Sequence, residues 1–322
     1  MAEAHPDLLS SVDVATVKRI LADEFPWLPL DRLDLVPGGP IQFHTPRGGT
    51  TEWWTTPARV VVNGEYIFRF PTNEQGRASL ERAAWVVRHL RGRTSLAVPG
   101  LDLVGRRLAT FGYRMIPGVP LDTPRYRRLP ESDQLGIGTA IGRFLAEMHL
   151  ALAVDEAAPV LTDEPLHPMS ARTLRLHFLP RIADESQRSF AARVIDRYEQ
   201  IRPTAADRTV LHNDLHGHNM LFDPVTCRVA GIVDFADVAI GDRHMDLFHL
   251  YSWDEPCLLA AITEYQRRCG VALSPERCII YNAAQDFTDL TWRTEQNVPI
   301  AEGPLSARIG RLQQRLTARG VA

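Results

Sequence analysis

Residues Leu211–Asp246 read LHNDLHGHNMLFDPVTCRVAGIVDFADVAIGDRHMD. His212-x-Asp214 comes first and Asn219 follows five residues after Asp214. Asp234 ends the apolar run VAGIV, and Gly241-Asp242 stands seven residues later. A carboxylate beside a hydroxyl nucleophile, with an amide and a second carboxylate sharing a divalent ion, is the equipment of phosphoryl transfer. Asp214 is the candidate base, taking a hydrogen bond from an acceptor hydroxyl and aiming its oxygen at phosphorus. Asn219 offers a neutral carbonyl oxygen and Asp234 a charged one, the hard ligands that Mg²⁺ takes alongside phosphate and water. A carboxylate at the end of a buried strand needs a partner, and a metal supplies one. His212 is expected to hold loop backbone. The same stretch also spells His212-x-Asp214-x-His216-x-His218, with His244 and His249 close behind, which is a donor set for a zinc or iron hydrolase. That alternative leaves Asn219, Asp234 and the Gly-Asp pair without a task.

The whole chain has room for such a site and its supports. Its 322 residues suit two lobes, with 45% apolar and 23% charged residues. A net charge of −3 leaves no basic footprint for nucleic acid. Lys18 is the single lysine, so 35 of the 36 basic residues are arginine. Cys227, Cys257, Cys269 and Cys278 lack CxxC spacing and read as free thiols in a reducing cytoplasm. The N-terminal residues carry no secretory pattern and no apolar run is long enough for a membrane span. A cytoplasmic location is therefore expected.

Upstream, residues 12–25 and 77–91 have helical apolar spacing. ARVVV and EYIFRF flank Asn63-Gly64, the strongest short hairpin signal. Residues 35–57 are rich in Gly, Pro, Thr and Trp, and residues 101–116 read as two further strands with a polar break. The first 112 residues are thus expected to form a small, mostly antiparallel sheet with one central helix. Pro117-Gly118-Val119-Pro120 is a punctuated connection. Helices are expected beyond it at 131–152, over 170–202 with a break at Pro180, and at 256–268, 276–295 and 304–319. An acidic loop is expected at 155–168, and loop with short strands at 210–236.

Gly48-Gly49-Thr50-Thr51 precedes a strand and is a candidate for the loop whose N–H groups approach phosphate, with Gly38-Gly39 as the competing placement. Arg69 stands where a kinase-type fold puts a phosphate-gripping cation, and arginine grips phosphate bidentately. Residues 229–262 hold six acids against Arg243. Asp254 and Glu255 among them show no architectural duty in the sequence, so they are candidates for meeting a cationic acceptor. Asp286, Asp289 and Trp292 share one helical face and extend an acidic, aromatic cleft.

HNDLHGHN followed by VDFADVAIGD and Asp246 resembles the aminoglycoside phosphotransferase family of small-molecule kinases. NGEYIFRFP and SLERAAWVVRHL are similar to the branch containing the 2″-phosphotransferases, and YRMIPGVPL is similar to the interlobe linker of that family. The likeness runs over roughly residues 12–300. It implies an α+β, two-lobed, protein-kinase-like fold, with a nucleotide-binding lobe over 1–112 and a helical lobe over 113–322. It implies transfer of the γ-phosphate of ATP or GTP, with Mg²⁺, to a hydroxyl of a small molecule. Asp214 would be catalytic, Asn219 and Asp234 the Mg²⁺ ligands, and Arg69 the cation on the phosphates. Tyr113, Arg114 and Met115 would line the base pocket. The acidic 237–255 region makes a polyamine-like sugar antibiotic the first acceptor. A macrolide, sugar or amino-alcohol kinase and a non-catalytic nucleotide-binding relative are the alternatives.

Three positions depart from the family pattern. Arg69 replaces lysine, Asn213 replaces the glycine between His and Asp, and Ala83 stands where a helix glutamate pairs with the strand cation. Glu81 lies about 200° around the helix from that position. Glu74 is the other possible partner, and without one Arg69 would be loosely held.

Overall fold

Asp13 caps the first helix, α1 (Val14–Glu24), by accepting from the Thr16 N–H at 2.8 Å; such a cap contributes about 1 kcal/mol. The computed structural model describes residues 13–36, 40–44, 51–55, 58–105, 110–162, 168–300 and 303–320. Strands β1 (Leu33–Val36), β2 (Pro40–His44), β3 (Thr51–Thr55), β4 (Ala58–Val62) and β5 (Tyr66–Phe70) follow α1. The hairpin of β4 and β5 turns at Asn63 and Gly64, whose φ values of +52° and +69° fit a type I′ turn. Helix α2 (Glu74–Leu90) starts at an Asn73 cap, three residues before the apolar spacing becomes visible. Strands β6 (Leu103–Val104) and β7 (Phe111–Arg114) complete the sheet, whose order is β1-β4-β5-β7-β6 with every pair antiparallel. β2 and β3 pair as a separate hairpin.

The sheet's alternation decides what faces the cleft. Val60, Val62, Phe68 and Phe70 join Val17 and Leu21 of α1 in a small core on one face. Ile67 and Arg69 take the opposite face, in register with Tyr113 and Phe111 of β7. On that side α2 places Leu80, Ala83 and Val87 in the main core, which continues without a break into the rest of the chain.

After the sheet come β8 (Val119–Pro120), α3 (Thr123–Tyr126), α4 (Glu131–Ala151), α5 (Val154–Ala157), α6 (Ala171–His177) and α7 (Glu185–Gln200). β9 (Arg208–Leu211), β10 (Met220–Asp223), β11 (Arg228–Ile232) and β12 (Ala239–Asp242) carry the decisive stretch, and α8 (Glu255–Cys269), α9 (Pro275–Glu295) and α10 (Leu305–Thr317) follow. The fold is two-lobed and kinase-like, a sheet-rich part followed by a mainly helical one. Gly138 and Gly142 are one turn apart on α4, and a Cβ on either would collide with a carbonyl of α8, at Cys257 or Ala261. That contact brings α4 and α8 close enough to form the buried spine behind the catalytic loop. Among the described residues no helix is long and apolar enough to cross a membrane. Two readings change. The Gly- and Pro-rich segment contains the end of β1 and the whole of β2 and β3, and the expected acidic loop begins on α5.

Candidate active site

The loop after β9 is fixed from beneath by Asp246, which is fully buried. Its Oδ2 accepts from the His212 N–H at 2.9 Å and its Oδ1 from the Asn213 N–H at 2.8 Å. His149 of α4 meets the same carboxylate at 3.0 Å and the Tyr265 hydroxyl of α8 at 2.8 Å, and Arg243 donates to that hydroxyl at 2.9 Å. Asn213 adopts the left-handed conformation, φ +67°, and donates to the Asp237 carbonyl at 3.0 Å. The loop thus keeps its shape without glycine at this position, because asparagine tolerates that backbone. His212 donates from Nε2 to the Val233 carbonyl at 3.0 Å, while its Nδ1 faces the Asp214 N–H at 3.4 Å. It ties the loop to the end of β11, a structural role. Gly217 is required by proximity, since a Cβ there would strike the Leu121 carbonyl.

Asp214 and Asn219 meet directly. Asn219 Nδ2 donates to both the backbone carbonyl and Oδ2 of Asp214, each at 2.8 Å. With the amide nitrogen so engaged, Asn219 Oδ1 is the end left to face an ion. Burial pushes the Asp214 carboxyl up, but His216, His249 and His212 outweigh it and hold it below its usual range. His216 Nε2 lies 3.4 Å from Asp214 Oδ2. Burial works against the His216 charge, yet Asp214 prevails and raises its pKa.

The signs give a test. A raised His216 pKa adds stability below its ordinary value of 6.5, lost as pH climbs through the folded value. A lowered Asp214 pKa adds stability above 3.8, lost as pH falls through the folded value. The Tm gap between wild type and His216→Gln is therefore expected to peak between pH 3.8 and 6.5 and to close above it. A gap that widens toward alkaline pH would contradict this pairing.

Asp234 follows β11 with φ +66°. That backbone turns its carboxylate back toward the sheet, where Arg69 NH2 meets it at 3.1 Å. Arg69 is therefore not loosely held. Burial opposes its charge, while Asp234 and the Tyr113 hydroxyl more than compensate and raise its pKa. Glu74 does not supply the partner, being paired with Arg77 one turn along α2. α2 is instead tied to this end of β11 by the Ser79 hydroxyl, which donates to the Ala236 carbonyl at 2.9 Å. Burial, with Asp214 and Asp234 nearby, pushes the Asp237 carboxyl up to about 7.

The three base-pocket candidates separate. Tyr113 is buried with its hydroxyl at Arg69. The Arg114 side chain is exposed, 3.8 Å from Glu65 and 5.9 Å from the Tyr66 ring centre. Met115 is exposed at the edge of the sheet, its N–H donating to the Glu65 carbonyl at 2.7 Å. Gly48 and Gly49 lie outside the described residues.

The four acceptor-site candidates separate as well. A cavity of about 390 Å³ opens beside the catalytic loop, lined by His216, His218, Trp253, Gln285, Asp286 and Asp289 among others. Asp286 is half-buried and paired with Arg308 at 3.1 Å; Asp289 pairs with Arg293 at 2.8 Å. Among the described residues, the buried Oε1 of Gln285 has no hydrogen-bond partner. Asp254 and Glu255 do not line this cavity, and both have architectural duties the sequence reading denied them. Asp254 caps α8 through the Cys257 N–H at 2.8 Å and accepts from the Tyr126 hydroxyl at 2.8 Å. Glu255 pairs with Arg319. Asp254 acts on the cavity only through its neighbours, since Tyr126 stacks on Trp253 at 4.5 Å.

The hydrolase alternative fails on geometry. Among the described residues, one group of three His, Cys, Asp or Glu side chains could share an ion: Asp207, Asp242 and His244. Arg277 already pairs with both carboxylates, and Tyr281 donates to Asp242 at 2.6 Å. That group is an ion-pair network joining β12 to α9. In the loop after β9, His212 is occupied with backbone, and His216 with backbone and with Asp214.

A sheet-rich lobe followed by a helical one, with a carboxylate and an amide on the loop between β9 and β10 and a second carboxylate after the next hairpin, defines a two-lobed kinase-like phosphotransferase architecture. Residues 55–277 match the phosphotransferase enzyme family, and the chain belongs to that family. An aminoglycoside 3′-phosphotransferase of Streptomyces fradiae is 26% identical over 172 residues, 52% of this chain and 60% of that one. The matched region thus spans under two thirds of that relative. A streptomycin 3″-kinase of Streptomyces griseus is 28% identical over 241 residues, 67% of this chain and 79% of that one. Among solved structures, an APH(2″) enzyme in complex with GDP and kanamycin superposes with a TM-score of 0.68 at 18% identity, covering 94% of this chain and 99% of that one.

Proposed function

We propose that this protein transfers the γ-phosphate of ATP or GTP to a hydroxyl of a small cationic, hydroxylated molecule of the aminoglycoside class. The carrying observation is the Asn219 amide clamped on Asp214, which fixes the carboxylate in the loop whose next residues, Leu215 and His216, line the cavity, and leaves the amide oxygen for an ion. Asp214 accepts the hydrogen bond of the acceptor hydroxyl and aligns its oxygen in line with phosphorus. Asn219 Oδ1 and Asp234 are a hard-oxygen donor pair and fit Mg²⁺. Bound there with the nucleotide, Mg²⁺ would neutralise phosphate charge. Arg69 grips the phosphates, and the sheet and loop amides exclude water around them. Asp286, Asp289 and the unpartnered Gln285 Oε1 accept from ammonium or hydroxyl donors of the acceptor, with Trp253 as an apolar wall. The two Streptomyces relatives support the acceptor class. The firm seat of Arg69 speaks against a relic that only binds nucleotide.

The test is incubation with ATP and with GTP, plus Mg²⁺, over a panel of aminoglycosides, macrolides, sugars and amino alcohols, read as phosphate gain by mass spectrometry. Phosphorylated aminoglycoside is the expected product. Turnover confined to neutral acceptors would overturn the acceptor class, and nucleotide binding without any turnover would overturn the activity.

Asp234→Ala is expected to abolish the Mg²⁺ dependence of nucleotide binding, so that titration calorimetry gives the same weak affinity with and without the ion. Tm should fall by only about 2–4 °C, the equivalent of roughly 1 kcal/mol in a protein of this size, because Arg69 retains Tyr113. An unchanged Mg²⁺ response would remove Asp234 from the site.

A further inference from the structure

We propose that Tyr113 is a positioning residue for nucleotide phosphates: its buried hydroxyl anchors Arg69 once Asp234 is turned to the metal. This rests on the phosphotransfer reading, because only there does Asp234 have a second duty. Among the described residues Arg69 has one carboxylate partner, Asp234, at 3.1 Å. An ion bound by Asp234 competes directly for that oxygen. The remaining polar neighbour of the guanidinium is Tyr113, which lines the same narrow cavity together with Ala83, Phe111 and Leu80. α2 offers no carboxylate there: Ala83 faces the cavity, Glu74 pairs with Arg77, and Glu81 is exposed.

The sheet puts Tyr113 where the task requires it. Arg69 opposes Phe111 and Ile67 opposes Tyr113 across β5 and β7, so the Tyr113 side chain is a diagonal neighbour of Arg69 on one face. Its ring is walled by Phe111 at 6.3 Å between centres, which limits its rotation. Burial raises its own pKa, so it remains a neutral hydroxyl. A neutral anchor differs from a carboxylate in one useful respect. It accepts an N–H bond and orients the guanidinium, yet leaves the full positive charge for phosphate.

The test is Tyr113→Phe, which removes the hydroxyl and keeps the ring. Binding of GDP and ADP with Mg²⁺ is read by calorimetry, so the result does not depend on finding an acceptor. Affinity is expected to fall roughly tenfold, the value of a hydrogen bond to a charged group. Where turnover is measurable, nucleotide KM should rise by a similar factor while kcat at saturation changes less than about twofold. In an Arg69→Met background the same substitution should have no further effect, as required if it acts through Arg69. Unchanged nucleotide affinity in Tyr113→Phe at wild-type Tm, or full additivity with Arg69→Met, would overturn the proposal. Absence of turnover on every acceptor, with the binding effects intact, would instead count against the phosphotransfer reading alone.

Discussion

Asp214→Ala is expected to lower kcat by about 10³-fold, within the range by which a positioned general base contributes, and to leave nucleotide affinity and Tm close to wild type. The reason is separation of duties. The Asp214 carboxylate is bonded by Asn219 Nδ2 at 2.8 Å and approached at 3.4 Å by His216, which lines the acceptor cavity. The Arg69–Asp234 pair is a distinct contact that it does not touch. Its backbone carbonyl, which also accepts from Asn219 Nδ2, survives the substitution, so the amide stays oriented. Asp214→Asn should lose nearly as much, because an amide cannot accept the hydroxyl's hydrogen bond with the same charge. The measurement is steady-state turnover with a phosphorylated product, paired with GDP calorimetry. A variant within tenfold of wild-type kcat would remove Asp214 from the chemistry.

The parts of this site that are legible in the sequence are those whose partners lie close along the chain. Asp214 and Asn219 are five residues apart and meet inside one loop. Asn63-Gly64 fixes its hairpin locally, and the helical pattern of α1, α2, α4 and α6 through α10 marks most of the helices. Contacts between distant residues were invisible. The arginine at 69 is held by a carboxylate at 234 that reaches it because residue 234 adopts positive φ, a conformation no pattern announces for aspartate. Glu255 looked free because its partner, Arg319, is on the last helix. Asp254 was misread for another reason. Aspartate directly before Glu-Pro is a helix-cap signature, and it was counted as net charge instead. The strands β2 and β3 escape because glycine, proline and threonine dominate their segment and only pairing reveals them.

Asp246→Ala is expected to be the most damaging single change to the fold. A fully buried carboxylate there receives two backbone N–H groups of the catalytic loop and the ring of His149. Removing it leaves those donors buried and unpaired. A lost charged acceptor of this kind is worth on the order of 3–5 kcal/mol. The effect is transmitted in two directions. Toward the core, His149 loses its Asp246 partner and is held only by the Tyr265 hydroxyl, so the α4–α8 spine loosens. Toward the site, Asn213 loses its hold on the left-handed backbone, and Asp214 and Asn219 shift together with it. Tm is therefore expected to fall by roughly 5–10 °C or more, and turnover should be lost even at temperatures where the chain remains folded. Asp246→Asn separates the two effects. Its single carbonyl oxygen can accept from one loop N–H but not both, so it should recover part of the stability and little of the activity. Thermal unfolding and kcat measured on both variants decide the matter. If the asparagine variant matched wild type in Tm and turnover, the loop would not depend on the paired acceptors of Asp246.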